Sequence, residues 1–242
     1  MDKVIVTGSN GFIGYHLVNK LKELGKFVIG IDLKENNEYV DIYYSMDIIN
    51  ITEDIFEDVS TIYHLAGSAE PVICDNNPID TINTYVSGTS RILELSNKYK
   101  CNVVVPSSIH LENYIGKPGD RNYSYLISKL TTDALCFYYK QLGTNVKVIR
   151  LSNVYGTGYT NTDSRVIPAL VRKISNNEEI QILDVSRSFI DIDSVVDTLI
   201  NSEDNTSLIA PEISIKDLVS KIQNVIKGKE FNENIIISKH WQ

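Results

Sequence analysis

Three groups of residues in this chain could do chemistry. The first is Thr7-Gly8-Ser9-Asn10-Gly11-Phe12-Ile13-Gly14, which follows the apolar run Val4-Ile5-Val6. Its glycines are spaced G-x-x-G-x-x-G. Between a first strand and a first helix, one glycine makes the tight turn and one lets backbone N–H groups reach a pyrophosphate. The third lets helix and strand pack closely. The helix N-terminus then faces the phosphates with partial positive charge. Asp32 ends the second apolar run, 18 residues after Gly14. A carboxylate at that place accepts hydrogen bonds from the adenosine ribose hydroxyls. It repels a 2′-phosphate, so NAD is expected rather than NADP; Lys34 lies two places on.

The second group is Tyr125-Leu126-Ile127-Ser128-Lys129, with tyrosine and lysine at i,i+4 and therefore on one helix face. An ammonium near a phenol favours the phenolate. Such a tyrosine can exchange protons with a sugar hydroxyl. The third group is Ser107-Ser108, directly after Val103-Val104-Val105-Pro106. A strand-end serine can hold both the substrate oxygen and the tyrosine. Spacing of this kind is weak evidence alone, since the chain has 14 tyrosines. Order along the chain strengthens it.

Those groups need elements to carry them. Val4–Val6, Phe27–Ile31, Thr61–Leu65, Val103–Val105 and Val146–Ile149 read as short buried strands. Helical patterns over 12–24, 79–100 and 124–142 separate them. Continuous short apolar runs alternating with helices indicate a parallel sheet covered on both faces. The expected fold is α/β, a doubly wound parallel (Rossmann) sheet with a small C-terminal lobe. Beyond about residue 156 the alternation weakens. Residues 157–165 read as a loop, 166–176 as a helix, and Ser214 as the cap of a helix over 215–227. The expected division is 1–156 plus 187–201 for the dinucleotide domain, and 157–186 plus 202–242 for a substrate lobe.

The chain has 242 residues and a formal charge of −8. That balance argues against gripping nucleic acid by bulk charge. Any anionic ligand must meet local positive charge. Cys74, Cys101 and Cys136 form no C-x-x-C pair, so neither a zinc site nor a disulfide framework is expected. No apolar run is long enough to span a bilayer. No cationic region precedes an apolar stretch at the start. A cytoplasmic protein that binds neither membrane, nucleic acid nor metal is the expectation.

Taken in order, the T-G-x-x-G-x-x-G turn, Asp32, His64-Leu65-Ala66-Gly67, Ser107-Ser108 and Tyr125-x-x-x-Lys129 resemble the extended short-chain dehydrogenase/reductase family, in its NAD-dependent epimerase/dehydratase branch. The likeness extends through Arg150-Leu151-Ser152-Asn153-Val154-Tyr155-Gly156, Val166-Ile167-Pro168 and Arg187-Ser188-Phe189-Ile190-Asp191-Ile192-Asp193. It implies Ser108, Tyr125 and Lys129 as catalytic residues. It implies a cofactor site of Gly8, Asn10, Gly11, Phe12, Ile13, Gly14, Asp32, Asp47, Ile48, Leu65, Ala66, Gly67, Tyr125 and Lys129, with Asp47 on the adenine. For a nucleotide-sugar substrate it implies Ser108, His110, Asn153, Val166 and Arg187, the arginine on the diphosphate. A homodimer through a bundle including the Tyr125–Lys129 helix is also implied, with Leu130, Leu135, Phe137 and Tyr138 supplying apolar surface. His64 reads either as cofactor-facing or as a satisfied strand-end histidine.

Four features depart from the family pattern. Tyr85 stands where an asparagine is usual, three residues before Gly88-Thr89. Ile109 and His110 follow Ser108, where dehydratases carry Asp-Glu and decarboxylases a glutamate. Elimination needs an acid and a base, and isoleucine is neither. His110 or Glu112 would have to serve. The run from 109 to Tyr114-Ile115-Gly116 is longer than usual. The region available for a substrate lobe is short. The missing acid pair favours an epimerase acting through a transient 4-keto sugar, or a ketoreductase, over a dehydratase; Tyr85, the missing pair and the short lobe motivate a non-catalytic reading. A 4-ketosugar reductase, a dehydratase and a non-catalytic NAD-binding protein stay open as alternatives.

Overall fold

The computed structural model describes residues 2–35, 38–113, 123–158, 165–227 and 235–238. Its strands, in chain order, are β1 (Lys3–Thr7), β2 (Phe27–Asp32), β3 (Ile42–Ser45), β4 (Val59–His64), β5 (Asn102–Ser108), β6 (Val146–Leu151), β7 (Asn153–Tyr155), β8 (Ile180–Leu183), β9 (Ser186–Asp191), β10 (Thr206–Leu208), β11 (Glu212–Ser214) and β12 (Ile235–Ser238). The α-helices are α1 (Phe12–Glu23), α2 (Pro71–Asn76), α3 (Pro78–Ile82), α4 (Thr89–Tyr99), α5 (Tyr123–Gln141), α6 (Val166–Ser175), α7 (Ile192–Asn201) and α8 (Ile215–Lys227).

The chain folds as two compact units, Met1–Leu151 with Ile192–Leu208, and Ser152–Asp191 with Ile209–Gln242. The first unit holds a seven-stranded sheet in the order β10-β6-β5-β4-β1-β2-β3. Every pairing in it is parallel. The expected doubly wound α/β sheet is what the chain forms. Strand order reverses between β1 and β4, the place where such sheets open a crevice at their carboxyl ends.

The reason lies in the residues. β1, β2 and β5 are buried almost end to end, as strands covered on both faces must be. Ile5, Ile29, Ile31, Ile62, Val103 and Val105 pack with Ile92, Leu93 and Leu95 of α4. Their neighbours Val4, Val6 and Val28, equally buried, alternate to the other face. There α1 offers Leu17, Val18 and Leu21 and meets α7.

The 79–100 segment is not one helix. α3 leads into a π-helical stretch, Asn83–Gly88, before α4 begins. β3 carries Tyr43 and Tyr44 rather than an apolar run, so the periodicity of the sequence does not reveal it. It pairs with β2 from Ile29↔Ile42 to Asp32↔Ser45.

The second unit contains the sheets β11-β9-β7 and β12-β8. Its core joins Leu170 and Ile174 of α6, Ile180 and Ile182 of β8, and Ile215, Leu218 and Val219 of α8. The Ser214 hydroxyl accepts the Asp217 amide at 3.0 Å and so caps α8.

Ile62 has no exposed surface and sits mid-sheet between β1 and β5. Ile62→Ala is expected to lower unfolding free energy by about 2–5 kcal/mol. Urea denaturation of wild type and variant measures this, and a loss below about 1 kcal/mol contradicts such close packing.

Candidate active site

The glycine turn is shaped by close approach. Gly8 lies in the left-handed region at φ +69°, and a Cβ there would meet the Leu65 carbonyl and Ala66 amide at 2.8–2.9 Å. The ends of β1 and β4 are thereby drawn together at the strand-order reversal. The Leu65 amide donates to Thr7 O at 3.1 Å, and the Ala66 amide to the Thr7 hydroxyl at 3.2 Å. The Gly11 amide donates to Gly8 O at 3.0 Å, which closes the turn. A Cβ on Gly14 would overlap that same Gly8 oxygen. Gly11 caps α1, whose first turn carries no acidic residue. Phe12 and Ile13 open the helix itself.

Asp32 ends β2 beside this turn. Its Oδ2 accepts the Asn10 amide at 2.9 Å and its Oδ1 the Lys34 amide at 3.2 Å. Each carboxylate oxygen keeps lone-pair capacity for a further donor. Around it lies a set of contacts that sequence reasoning missed. Lys34 Nζ donates to Asn10 O at 3.1 Å. Asn10 Nδ2 donates to the Tyr43 hydroxyl at 3.1 Å, and that hydroxyl bonds Lys34 O. Tyr43 lies on β3, a strand with no apolar signature. Asp47 caps a 3₁₀ turn, Ile48–Asn50, by accepting the Ile49 amide at 3.1 Å. Ile48 is buried against Gly88.

A side-chain-free cradle, a helix N-terminus without acid and a carboxylate at the end of the second strand fit a dinucleotide. Gly8, Gly11 and Gly14 would hold its pyrophosphate, and Asp32 its ribose hydroxyls.

Ser108, Tyr125 and Lys129 come together in the same unit. Ser108 ends β5, and a 3₁₀ turn, Ile109–Asn113, starts at once. The Ser108 hydroxyl is buried and accepts the His110 amide at 3.2 Å. His110 itself is exposed. Tyr125, half-buried on the first turns of α5, lies close enough to Ser108 for that side chain to act on its phenol. Burial pushes its phenol up to about 12, while Ser108 pulls the other way. Tyr114, Ile115, Gly116 and most of the 157–165 loop lie outside the described residues.

Lys129 is 9% exposed. Its ammonium donates to Pro106 O at 2.8 Å and lies 4.7 Å from the centre of the Tyr85 ring. Burial pulls it down to about 8, with Asp133, Cys136 and Cys74 opposing. It therefore loses its proton just above neutral pH.

His64 proves to be a tie between elements. Its Nδ1 bonds the Thr7 hydroxyl at 2.8 Å and its Nε2 the Thr89 hydroxyl at 3.0 Å, joining β1, β4 and α4. Burial and then the Lys129 charge hold it down to about 3, so it stays neutral.

Of the substrate-side candidates, Ser108 and His110 belong to the first unit, and Asn153, Val166 and Arg187 to the second. Asn153 pairs with Phe189 in the β7–β9 register, and its Nδ2 donates to Ser188 O at 2.9 Å. Arg187 lies on β9, and Val166 starts α6.

If the turn is a pyrophosphate cradle, Gly14→Ala will weaken NAD binding at least tenfold by calorimetry, with far-UV circular dichroism unchanged. Unaltered affinity would remove the cradle from the cofactor site.

Comparison with known proteins agrees with this fold. UDP-glucuronic acid decarboxylase 3 of Arabidopsis thaliana is 28% identical over 222 residues, 82% of this chain and 65% of that protein. UDP-glucuronic acid decarboxylase 1 of the same plant is 32% identical over 189 residues, 70% of this chain but 43% of that protein. The chain thus spans about 43–65% of the length of these two relatives. Among solved structures, the Thermotoga maritima UDP-glucose 4-epimerase with UDP-glucose superposes with a TM-score of 0.82 at 23% identity, covering 98% of this chain and 85% of its own. The Bacillus anthracis dTDP-glucose 4,6-dehydratase in complex with NAD gives 0.79 at 21%, covering 100% and 86%. Residues 4–206 match the NAD dependent epimerase/dehydratase family, and the chain belongs to it.

Proposed function

We propose that the chain is an NAD-dependent nucleotide-sugar 4-epimerase working through a transient 4-keto sugar. The observation that carries this is the placing of Ser108 beside Tyr125, with Lys129 buried on the same helix, in the unit that holds the glycine turn. Bound NAD supplies a hydride acceptor, then a hydride donor, and in its oxidised form a positive ring. Tyr125 takes the proton of the sugar 4-hydroxyl as C4 becomes a ketone. It returns that proton when C4 is reduced on the opposite face. Ser108 holds the oxygen in both directions.

A phenol near 12 is a poor base at neutral pH. Positive charge must oppose the burial, a part this reading gives to Lys129 and to the oxidised ring of NAD. Asn153, Val166 and Arg187 form the substrate side in this reading, with the second unit as substrate lobe and Arg187 on the diphosphate. Ile109 and exposed His110 after Ser108 give no buried carboxylic acid–base pair of the kind that elimination uses.

The names of the relatives support a second reading, on UDP-glucuronic acid. Oxidation at C4 of a glucuronic acid makes a β-keto acid. Its C5–carboxyl bond then breaks, carbon dioxide leaves, and the electron pair becomes an enolate that takes a proton at C5. The first half needs the same three side chains.

Among the described residues, no helix is long and apolar enough to cross a membrane. Cys74, Cys101 and Cys136 are free and buried, which supports a reducing, cytoplasmic setting. One face of α5 presents Ile127, Leu130, Phe137 and Tyr138, and α3, packed on α5, adds Ile79 and Ile82; all are exposed. Leu135 packs inward against the core. A homodimer through this face is our reading, since a second copy would cover it.

Turnover should be assayed on UDP-, GDP-, CDP- and dTDP-sugars, UDP-glucuronate included. Tyr125→Phe should lose about 10²–10⁴-fold in rate while still binding NAD. Undiminished turnover by that variant sinks the mechanism. Stoichiometric consumption of NADH would make the enzyme a reductase, and release of carbon dioxide a decarboxylase. In light scattering, wild type should run as a dimer and Leu130→Glu as a monomer; a monomeric wild type rejects the dimer.

A further inference from the structure

Tyr85 occupies an unusual place. It lies in the π-helical stretch Asn83–Gly88, whose wider turn re-aims a side chain. The residue is 4% exposed. Its hydroxyl donates to Ser68 O at 2.7 Å, and its carbonyl accepts the Thr132 hydroxyl of α5 at 3.0 Å. Both ends of the residue are therefore tied, one to the loop after β4 and one to α5. The ring between them is held in one orientation.

That ring meets two groups of the candidate site. Its face receives the Lys129 ammonium at 4.7 Å from the centroid. Tyr125 stands edge-on to it, centroids 6.5 Å apart and planes at 85°. Gly67 makes room on a third side. At φ +132°, a Cβ there would sit 2.5 Å from the Tyr85 ring carbon Cζ. No residue with a side chain could stand at 67 while the ring keeps this place.

Lys129 needs such a partner. Its ammonium is buried and donates to Pro106 O, leaving donors to satisfy. Asp133 lies one turn further along α5 and is shared with Arg150, at 3.1 Å. An aromatic face attracts a cation most when both are out of water.

We propose that Tyr85 is a positioning residue that keeps Lys129 protonated and aimed by presenting its ring face to the ammonium. The role rests on the reading of Ser108, Tyr125 and Lys129 as the reacting set, and it deepens that reading. The groups facing Lys129 are His64 of β4, Cys74 of α2, Pro106 O of β5, and Asp133 and Cys136 of α5. Neutral His64 brings no charge, and the burial-raised thiols Cys74 and Cys136 stay protonated near neutrality. Asp133 is a nearby acid and the Pro106 carbonyl accepts one hydrogen bond; the ring adds a further source of stabilisation for the cation.

The test is the titration of Lys129, followed by carbon-13 NMR of labelled lysine in the 242-residue chain. Lys129→Met assigns the resonance. Tyr85→Leu removes the ring face, so the midpoint should fall by about one pH unit. Tyr85→Phe keeps the face and should stay near wild type. Pentafluorophenylalanine at position 85 keeps the size and reverses the ring charge distribution; it should lower the midpoint as leucine does. This last variant decides the matter if Tyr85→Leu fails to fold. NAD affinity at pH 8, by calorimetry, should drop about fivefold in the leucine variant as the ammonium fraction falls.

An unchanged midpoint with pentafluorophenylalanine overturns the proposal. So does a Tyr85→Phe midpoint as low as the leucine variant's, which would assign the effect to the Ser68 bond. None of these readouts uses a sugar substrate. Failure of the nucleotide-sugar reading would appear as no turnover by wild type, with the Lys129 titration still deciding Tyr85.

Discussion

A lysine ammonium held away from water governs much of the first unit. Water solvates such a charge strongly, and burial without replacement contacts expels the proton instead. Here the replacements come from several elements. β5 offers the Pro106 carbonyl, the π-helical stretch offers the Tyr85 ring, and α5 itself offers Asp133 a turn away. Helix α5, the stretch before α4 and the end of β5 must therefore keep their relative places. The Thr132 hydroxyl on Tyr85 O and the Tyr85 hydroxyl on Ser68 O fasten the same elements again. Because these bonds are shielded from water, each misplaced partner would leave a buried polar group unpaired.

The second dependence is the seam between β1 and β4. Gly8 permits the two strand ends to touch, and the Thr7 hydroxyl and His64 ring bind them from within. Thr89 extends the tie to α4. The crevice of a doubly wound sheet opens at this seam. A neutral histidine suits it, because a charged ring would sit unpaired beside Lys129. The glycine turn and the Ser108, Tyr125 and Lys129 set thus share one framework of strand ends.

Charge follows the same local logic. A net −8 does not oppose a dinucleotide, since in the proposed reading its phosphates would meet a helix N-terminus whose first turn has no acid. Asp32 places its carboxylate where neutral hydroxyls, not phosphates, are expected.

Much was legible in the sequence because it follows from short-range rules. Strand-length apolar runs separated by helical periods specify a parallel doubly wound sheet, and five of the seven strands of the main sheet are such runs. The glycine spacing, Asp32 after the second strand and Tyr125–Lys129 at i,i+4 are likewise local patterns. What the sequence did not reveal depends on contacts between distant segments. β3 owes its existence to pairing with β2, not to its own Tyr-rich composition. His64 has the same letter whether it faces a cofactor or two threonines; only the approach of Thr7 and Thr89 decides. Tyr85 reads in the chain merely as a departure from a pattern. It becomes a partner of Lys129 because a π-helical turn, a glycine at 67 and the packing of α5 bring a ring face and an ammonium together, 44 residues apart in the chain. Local chemistry chose the elements and tertiary packing chose their partners, since burial energies depend on what surrounds a group and not on what precedes it.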